Sequence, residues 1–222
     1  MILNKEILYQ ELKNRIITQI YKPEQVLNEK DLMQTFGVGR TPLREVLFDL
    51  QRDGLVSIVP RYGTFVTPLS LNDLKNLIQI RPTLEKLVVE ILCDIASQSQ
   101  INEMDHILQT AEQLIAENDN KPLRDTEIIN DLRNLEAKLH NYMYNATQNP
   151  YLIYLCRQLQ ANSERYWVYA NLDTNGLINQ ISDHRLLHDA IECRDKALSG
   201  KLAVKHTVNF TQGVLSSLTN SK

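Results

Sequence analysis

The stretch that decides the fold is Gly39-Arg40-Thr41-Pro42-Leu43-Arg44-Glu45, with Phe36-Gly37 before it and Asp53-Gly54-Leu55-Val56 after it. Gly37 predicts the end of one helix, because glycine readily takes the left-handed conformation that follows a last helical turn. A second helix is expected to start near Arg40, since Thr41 can accept a hydrogen bond from a first-turn amide and Pro42 suits the first helical position. A helix, a tight turn and a second helix predict a helix-turn-helix.

Two arginines, Arg40 and Arg44, lie four residues apart at the start of this second helix and therefore share one side of it. A guanidinium group matches two acceptors on a guanine edge or a phosphate. Two arginines at this spacing are often no more than a solvated helix face. Beside the helix stop and the Thr-Pro start, however, they predict contact with the major groove of double-stranded DNA.

The flanking segments complete a winged helix-turn-helix. Apolar residues at three- and four-residue spacing predict a first helix over about 4–21 that packs beneath the other two. Two short apolar runs, 55–59 and 64–66, predict a hairpin whose tip is Pro60-Arg61-Tyr62-Gly63.

At this point the chain resembles the GntR family of bacterial transcription regulators. The matching residues are Tyr9, Leu12, Ile16, Pro23, Leu27-Asn28-Glu29-Lys30-Asp31-Leu32, Phe36 to Leu47, Leu50, Asp53-Gly54-Leu55-Val56 and Gly63. The resemblance covers almost all of 1–70 and implies DNA contacts by Lys30, Arg40, Thr41 and Arg44. It also implies that Arg61, Tyr62 and Gly63 form the wing tip over a minor groove. Where the family usually has serine, this chain has Gly39.

Charge and composition set limits on the function. Residues 1–70 hold nine basic and eight acidic residues, so no broad basic surface is expected and DNA affinity must rest on a few placed cations, doubled in a homodimer. No leader-like start or apolar run of about 20 residues is present, which predicts a cytoplasmic protein with no membrane partner. The three cysteines, Cys93, Cys156 and Cys193, lack close metal spacing, so disulfides are not expected.

The length of 222 residues predicts two domains: a winged helix-turn-helix over 1–70, and an antiparallel all-helical bundle over 71–222 for effector and metal binding and dimerisation. The overall fold class is therefore mostly α. Ser70 is expected to cap a helix from Leu71 that bends or restarts at Pro82. Further helices are predicted at about 101–118, 123–145, 151–171, 177–193 and 196–218.

Four residues of the bundle are expected to meet. Glu136 and His140 lie one helical turn apart, and His184 and His206 lie 11 residues on either side of Asp195, the predicted cap between the last two helices. An antiparallel hairpin brings those two histidines to the same height. Three imidazoles and a carboxylate predict a divalent metal site, with zinc as the expected ion and nickel or manganese as alternatives.

The bundle also resembles the FadR-like, or FCD, branch of the same family. Glu136-Ala137-Lys138-Leu139-His140 matches the branch's Asp-x-x-Phe-His pattern, with Glu in place of Asp, and the later histidines match His184 and His206. Arg81-x-x-Leu84-Glu85 matches its first-helix signature. His188 is interpreted as an outer partner of the metal site, an alternative ligand or an exposed residue.

These features predict an effector-controlled DNA-binding regulator, expected to be a repressor and a homodimer. A small organic acid would bind in the bundle through its carboxylate, with Arg81 and His188 as candidate effector contacts, and would change the placement of two winged domains on operator DNA. One alternative is a metal-dependent enzyme in the bundle, against which stands the lack of a second acid to act as base. A constitutive architectural DNA binder is a further alternative.

Overall fold

The computed structural model describes residues 4–118, 126–170 and 174–220. These residues form a mostly helical chain with nine helices and one small sheet. In chain order the elements are α1 (Lys5–Ile17), β1 (Val26–Leu27), α2 (Glu29–Phe36), α3 (Arg40–Arg52), β2 (Val56–Val59), β3 (Gly63–Val66), α4 (Leu71–Ile95), α5 (Gln98–Glu117), α6 (Thr126–Ala146), α7 (Pro150–Tyr169), α8 (Thr174–Glu192) and α9 (Lys196–Asn220).

The chain divides into two compact units. We call Met1–Leu74 together with Ala161–Tyr169 the winged unit, and Lys75–Gln160 together with Ala170–Lys222 the bundle unit. Helices α4 and α7 each supply residues to both units. The division into domains at residue 70 stays a prediction.

The helix-turn-helix forms where the sequence predicts it. The Asn28 side chain accepts a hydrogen bond from the Lys30 amide at 2.9 Å and caps α2, and Gly37 ends α2 with a left-handed φ of 62°. Helix α3 begins at Arg40 after Gly39, which provides no side-chain cap. The predicted capping role of Thr41 is therefore wrong, because Thr41 lies inside the first turn and a capping residue must precede it.

A three-stranded antiparallel sheet with the order β1-β3-β2 forms the wing. Strands β2 and β3 pair with Val56 opposite Val66 and Val59 opposite Gly63. Strand β1, which the sequence analysis did not predict, pairs Val26 with Phe65. It is only two residues long, too short to show a strand periodicity.

The winged unit has a continuous apolar core beneath α3. Helix α1 contributes four buried residues, α3 contributes four more, and the sheet and the α7 segment close the cluster. The buried members are Leu8, Leu12, Ile16, Ile17, Leu27, Leu32, Phe36, Leu43, Val46, Leu47, Leu50, Leu55, Val56, Val66 and Ala161. This core fixes the face of α3 that points inward and thereby leaves Arg40 and Arg44 exposed.

Helix α4 runs unbroken through Pro82, so of the two outcomes predicted near Arg81, a bend or a restart, the restart is wrong. Ser70 caps this helix by accepting a hydrogen bond from the Asp73 amide at 3.0 Å, as predicted. Proline removes one backbone hydrogen bond, but the apolar face on either side of it is buried and holds the helix together. The buried residues are Leu74, Leu77, Val88, Val89 and Leu92.

Helices α5 to α9 match their predicted positions to within about three residues where the structure describes them, whereas α1 ends at Ile17, four residues before its predicted end near Tyr21. The predicted start at 123 and the predicted end at 171 lie outside the described residues. In the bundle unit α8 packs against α9 and α5, and α6 packs against α5 and α8. None of the helices in the described ranges is long and apolar enough to cross a membrane.

Replacing a core residue of α3 should destabilise the winged unit. Leu43 is fully buried, so Leu43→Ala is expected to lower the free energy of unfolding by about 2–5 kcal/mol. Phe48→Ala, on the exposed side of the same helix, is the matched control and should cost less than about 1 kcal/mol. Denaturant titration followed by Trp167 fluorescence measures both, because this single tryptophan belongs to the winged unit. An equal decrease in the free energy of unfolding for the two variants would show that burial of Leu43 does not stabilise the winged unit.

Candidate nucleic-acid interface and metal centre

The N-terminal end of α3 presents two cations to solvent. Arg40 and Arg44 are both exposed, and the Nε of Arg44 lies 3.1 Å from Oε2 of Glu29 at the start of α2. This ion pair uses one edge of the guanidinium group and makes its direction depend on α2. Lys30 and Thr41 are exposed beside it, so all four of these predicted DNA contacts lie on the surface of the winged unit.

The wing tip is a tight turn with an exposed basic and aromatic end. The Tyr62 amide donates to the Val59 carbonyl at 3.1 Å, and Arg61 has a φ of 69°. Proline at the second position and a positive φ at the third are typical of a type II turn. Gly63 follows with a φ of 118°, a conformation that favours glycine. Tyr62 is 79% exposed, so its ring is available for contact outside the chain.

The four predicted metal ligands come together inside the bundle unit. Glu136 and His140 are supplied by α6, His184 by α8 and His206 by α9. Each offers one ligand atom, and these atoms lie within 4.8 Å of one another. The ring centroids of His184 and His206 are 4.1 Å apart, as expected for residues equidistant from the α8–α9 turn. All four side chains are buried.

The unpaired ring nitrogens of this cluster indicate that it can accept a cation. His140 Nε2, both ring nitrogens of His184 and His206 Nδ1 are buried without a hydrogen-bond partner. His140 Nε2 lies 3.0 Å from Oε1 of Glu136, yet the two atoms are not in hydrogen-bond geometry. An unpaired buried polar atom costs about 1–3 kcal/mol, and a shared cation removes that cost for several atoms at once.

The donor set fits a small divalent ion. One carboxylate and three imidazoles are the ligands that zinc and neighbouring transition metals take in proteins. Two ligand atoms bound at about 2.1 Å to one ion are at most about 4.2 Å apart. The most widely separated ligand atoms therefore need to approach by at least about half an ångström, and by more in a tetrahedral site, whose ligand atoms lie about 3.4 Å apart.

The charge states of the cluster also suit a cation. Burial opposes ionisation of Glu136, but the nearby His140 and His184 rings hold the pKa of its carboxyl well below the usual range. Burial lowers the pKa of His184 and, together with the two neighbouring imidazoles, lowers the pKa of His206 well below its usual value. Burial also opposes protonation of His140, yet Glu136 and Glu85 raise its pKa. The site thus holds a carboxylate and two neutral imidazoles, which are metal-binding forms.

A second carboxylate orients the ring of His140. Tyr144 donates its hydroxyl hydrogen to Oε1 of Glu85 at 2.6 Å, and the same hydroxyl lies 3.1 Å from Nδ1 of His140. His140 Nδ1–H can therefore donate to Tyr144, which leaves the Nε2 lone pair directed at the cluster. The hydrogen bonds that link Glu85, Tyr144 and His140 thus favour the His140 tautomer whose Nε2 lone pair could bind a metal.

Three further hydrogen bonds close a ring around the site. Arg81 donates from Nε to Oε1 of Glu85 at 3.2 Å and from a second guanidinium nitrogen to Oε1 of Gln160. Gln160 in turn donates from Nε2 to Oε2 of Glu136 at 3.3 Å. Arg81 is only 4% exposed, so these interactions are strong ones in a dry environment.

The structure places the two candidate effector contacts differently. Arg81 belongs to the polar ring around the cluster. His188 does not reach the cluster: its Nε2 lies 3.2 Å from the Ile101 carbonyl oxygen and its Nδ1 lies 3.2 Å from Oδ1 of Asp189. It joins α8 to α5 instead.

Three residues of the site are not among the site residues predicted from the sequence: Glu85, Tyr144 and Gln160. Two of them carry a local signal, because Glu85 follows Arg81 and Tyr144 follows His140 by one helical turn. Gln160 carries none, since its partners are distant in sequence.

Two family models match the chain and together cover most of it. The model for bacterial regulatory proteins of the gntR family matches residues 4–66, and the FCD domain model matches residues 76–209.

Two relatives of this chain are transcription regulators. The HTH-type transcriptional regulator YdhC of Bacillus subtilis is 33% identical over 144 residues, which is 65% of this chain and 61% of the relative. The HTH-type transcriptional repressor RspR of Escherichia coli is 29% identical over 101 residues, or 46% of this chain and 44% of the relative. The matches thus span less than two thirds of the length of these two curated relatives.

The solved structure of McbR/YncC from E. coli has the same fold. It is 20% identical in sequence, has a TM-score of 0.80, and the match covers 100% of both chains. The likeness extends over both the winged and the helical parts.

The buried imidazoles predict a pH dependence of stability for metal-free protein. An unfolded histidine titrates near pH 6.5, but the lowered pKa of His206 keeps its folded form neutral. As the pH falls below about 6.5, the unfolded chain binds a proton that the folded chain does not, and stability is lost at up to about 1.4 kcal/mol per pH unit. The raised pKa of His140 acts at higher pH instead: its stabilisation is fully present below about pH 6.5 and is lost as the pH rises through the raised pKa of the folded state.

His206→Gln is therefore expected to flatten the loss of stability between about pH 6.5 and pH 5. The measurement is denaturant unfolding of chelator-treated protein, followed by circular dichroism at a series of pH values. His106→Gln, at an exposed position on α5, is the control and should keep the wild-type slope. A His206→Gln slope equal to that of wild type would contradict the prediction.

Proposed function

This chain belongs to the GntR family of bacterial regulatory proteins and carries an FCD domain, and we propose that it is a sequence-specific, effector-responsive repressor of transcription. The family and the relatives compared above are transcription regulators and not enzymes, which decides against a metal-dependent enzyme in the bundle. One of those relatives, RspR, is a repressor, and we assign this chain the same sign of regulation. Because bacterial chromosomal DNA lies in the cytoplasm, we propose that the protein acts there.

The observation that carries the DNA-binding proposal is the pair of exposed arginines at the first turn of α3. With Arg44 held from one edge by Glu29, its remaining donors are free to approach the two acceptors of a guanine in the major groove. Arg40, one turn earlier, adds a second base or phosphate contact. Lys30, Thr41 and the wing residues Arg61, Tyr62 and Gly63 are proposed to position the unit on the duplex.

A homodimer is proposed because the winged unit carries few cations. Doubling the contacts on two half-sites supplies affinity that one nearly neutral winged unit lacks. Helix α4 supports this assignment with an apolar stripe on its outer side. Ile80 and Leu87 are 50% and 41% exposed, and Leu84 and Ile91 between and beyond them are half-buried. An exposed apolar stripe at helical spacing is typical of a protein interface.

The bundle unit is proposed to hold a divalent metal ion on Glu136, His140, His184 and His206, with zinc as the expected ion. When bound, the ion supplies Lewis acidity toward an oxygen ligand. The charges of Arg81 and Glu85 cancel each other. A divalent ion beside the Glu136 carboxylate would therefore leave the site with one net positive charge. The site would therefore attract an anion, which supports a small organic acid as effector, bound through its carboxylate near Arg81. His188 is proposed to hold α8 in place for His184.

Removing one arginine of α3 should reduce operator binding selectively. Arg44→Ala is expected to weaken binding to the DNA upstream of the chain's own gene by about 1–3 kcal/mol, while binding to unrelated DNA falls far less. Arg52→Ala, at the far end of the same helix, is the matched control and should bind both DNAs as wild type does. Fluorescence anisotropy at fixed salt measures both affinities. Equal losses on the two DNAs would contradict base recognition by Arg44.

Removing the hydroxyl beside His140 should weaken metal binding. Tyr144→Phe deletes the bridge between Glu85 and His140, and loss of such an outer hydrogen bond typically costs about 10–100-fold in metal affinity. Tyr142→Phe, the same change two residues earlier on α6, should leave zinc affinity unchanged. Competition with a chromophoric zinc chelator gives both dissociation constants. His140→Ala should abolish stoichiometric binding, and a wild type that binds no zinc would overturn the metal proposal.

A further inference from the structure

Helix α7 supplies side chains to both units of the chain. It is continuous from Pro150 to Tyr169, and the division between the two units falls within it, between Gln160 and Ala161. A helix advances only about 1.5 Å per residue. Gln160 and Asn162, two residues apart, are therefore separated by only about 3 Å along the helix axis.

On the bundle side, Gln160 lies between two charged groups of the candidate metal site. Its side chain is 4% exposed, its Oε1 accepts from Arg81, and its Nε2 donates to Oε2 of Glu136 at 3.3 Å. The other carboxylate oxygen, Oε1 of Glu136, is the one that faces His140 and His184. A change in the position or charge of the Glu136 carboxylate thus acts directly on the Gln160 amide.

On the winged side, the next turn of α7 binds backbone groups of the helix-turn-helix and its exit. Asn162 Nδ2 donates to the carbonyl oxygen of Asp53 at 3.2 Å, and Asp53 is the C-terminal cap of α3. Arg165 donates to the Thr67 carbonyl, and the Tyr166 hydroxyl donates to the Ser70 carbonyl at 2.9 Å. These bonds join α7 to the end of the DNA-recognition helix and to the segment after the wing.

We propose that Gln160 and Asn162 couple the occupancy of the Glu136 site to DNA binding by α3, through helix α7. This inference rests on the proposed function, since it needs both a cation site in the bundle and a DNA-binding α3. A cation that draws the Glu136 carboxylate toward the three imidazoles weakens or redirects its hydrogen bond with Gln160. The shift of Gln160 moves the Asn162 turn and, with it, the cap of α3.

The rival route is helix α4, which also supplies residues to both units and carries Arg81 and Glu85. Coupling through α4 alone would use the segment before Leu71 and would not depend on Asn162. The two routes are distinguished by variants of α7 that leave α4 unchanged.

The test is a thermodynamic cycle on the full chain. Operator affinity is measured in excess chelator and in saturating Zn²⁺, and zinc affinity is measured with and without operator. By linkage, the two ratios must be equal, and a coupled regulator typically gives a factor of about 5–150. The wild-type chain is expected to fall in this range.

Two variants test the coupling, one on the winged side of the boundary within α7 and one on the bundle side. Asn162→Ala is expected to keep the zinc affinity of free protein and to reduce the coupling factor to less than about twofold. Gln160→Leu is expected to do the same to the coupling factor while raising the zinc dissociation constant by roughly tenfold, because Glu136 loses a hydrogen-bond donor. Gln158→Leu makes the same chemical change on the same helix and should keep the wild-type factor. Trp167 fluorescence checks that each variant is folded.

Each outcome decides the matter. Loss of coupling in Asn162→Ala and Gln160→Leu, with zinc and DNA still bound, supports the route through α7. A wild-type coupling factor in both variants would overturn it and leave α4 as the route, and a wild-type factor near one with both ligands bound would overturn it as well. A wild type that fails to bind zinc or operator would instead refute the proposed function, and the coupling would fall with it.

Discussion

The burial of the Glu136 carboxylate among three imidazoles is the interaction on which the bundle depends. An isolated charge in a protein interior costs far more than the bundle can offset, so its surroundings must supply opposite charge and hydrogen bonds. His140 Nε2 lies 3.0 Å from Oε1 of Glu136, and Gln160 Nε2 donates to Oε2 at 3.3 Å. Glu85 and Arg81 extend the same arrangement, and the result is a ring of paired groups that leaves several imidazole nitrogens unpaired toward its centre. This incomplete pairing favours a cation.

In the winged unit, by contrast, packing and the ion pair between Arg44 and Glu29 orient the exposed arginines at the start of α3. The core of this unit orients α3 so that only one side of its first turn is free, and Glu29 then restricts how Arg44 can point. An arginine held from one edge loses less conformational freedom when it binds a base than an unrestrained one does. Because residues 1–70 are almost neutral, overall attraction to phosphate would be weak, and selectivity of the proposed DNA contact would depend on such preorganisation.

How far the sequence predicts this protein depends on the range of each interaction. The helix stop at Gly37, the cap at Ser70, and the approach of His184 to His206 follow from local spacing and simple helix geometry. Local rules failed at Gly39, where an uncapped helix begins, and at Pro82, where burial on both sides keeps α4 intact. They were silent on Gln160, whose role exists only because α4, α6 and α7 meet around it.

Contacts between residues distant in sequence would also determine how a ligand in the bundle unit changes DNA binding. A site built from residues of five helices would sense a ligand through the distances between those helices, and the packing that sets such distances is typically bistable rather than continuously deformable. A small change at Glu136 therefore acts through whichever helices touch both the site and the DNA-binding elements. In this chain α4 carries Arg81 and Glu85, and α7 carries Gln160 beside Asn162, so both helices combine a contact to the site with residues of the winged unit. Of the two, α7 places Gln160, which donates to Glu136, two residues before Asn162, which donates to the cap of α3, and this spacing is the reason for proposing the route through α7.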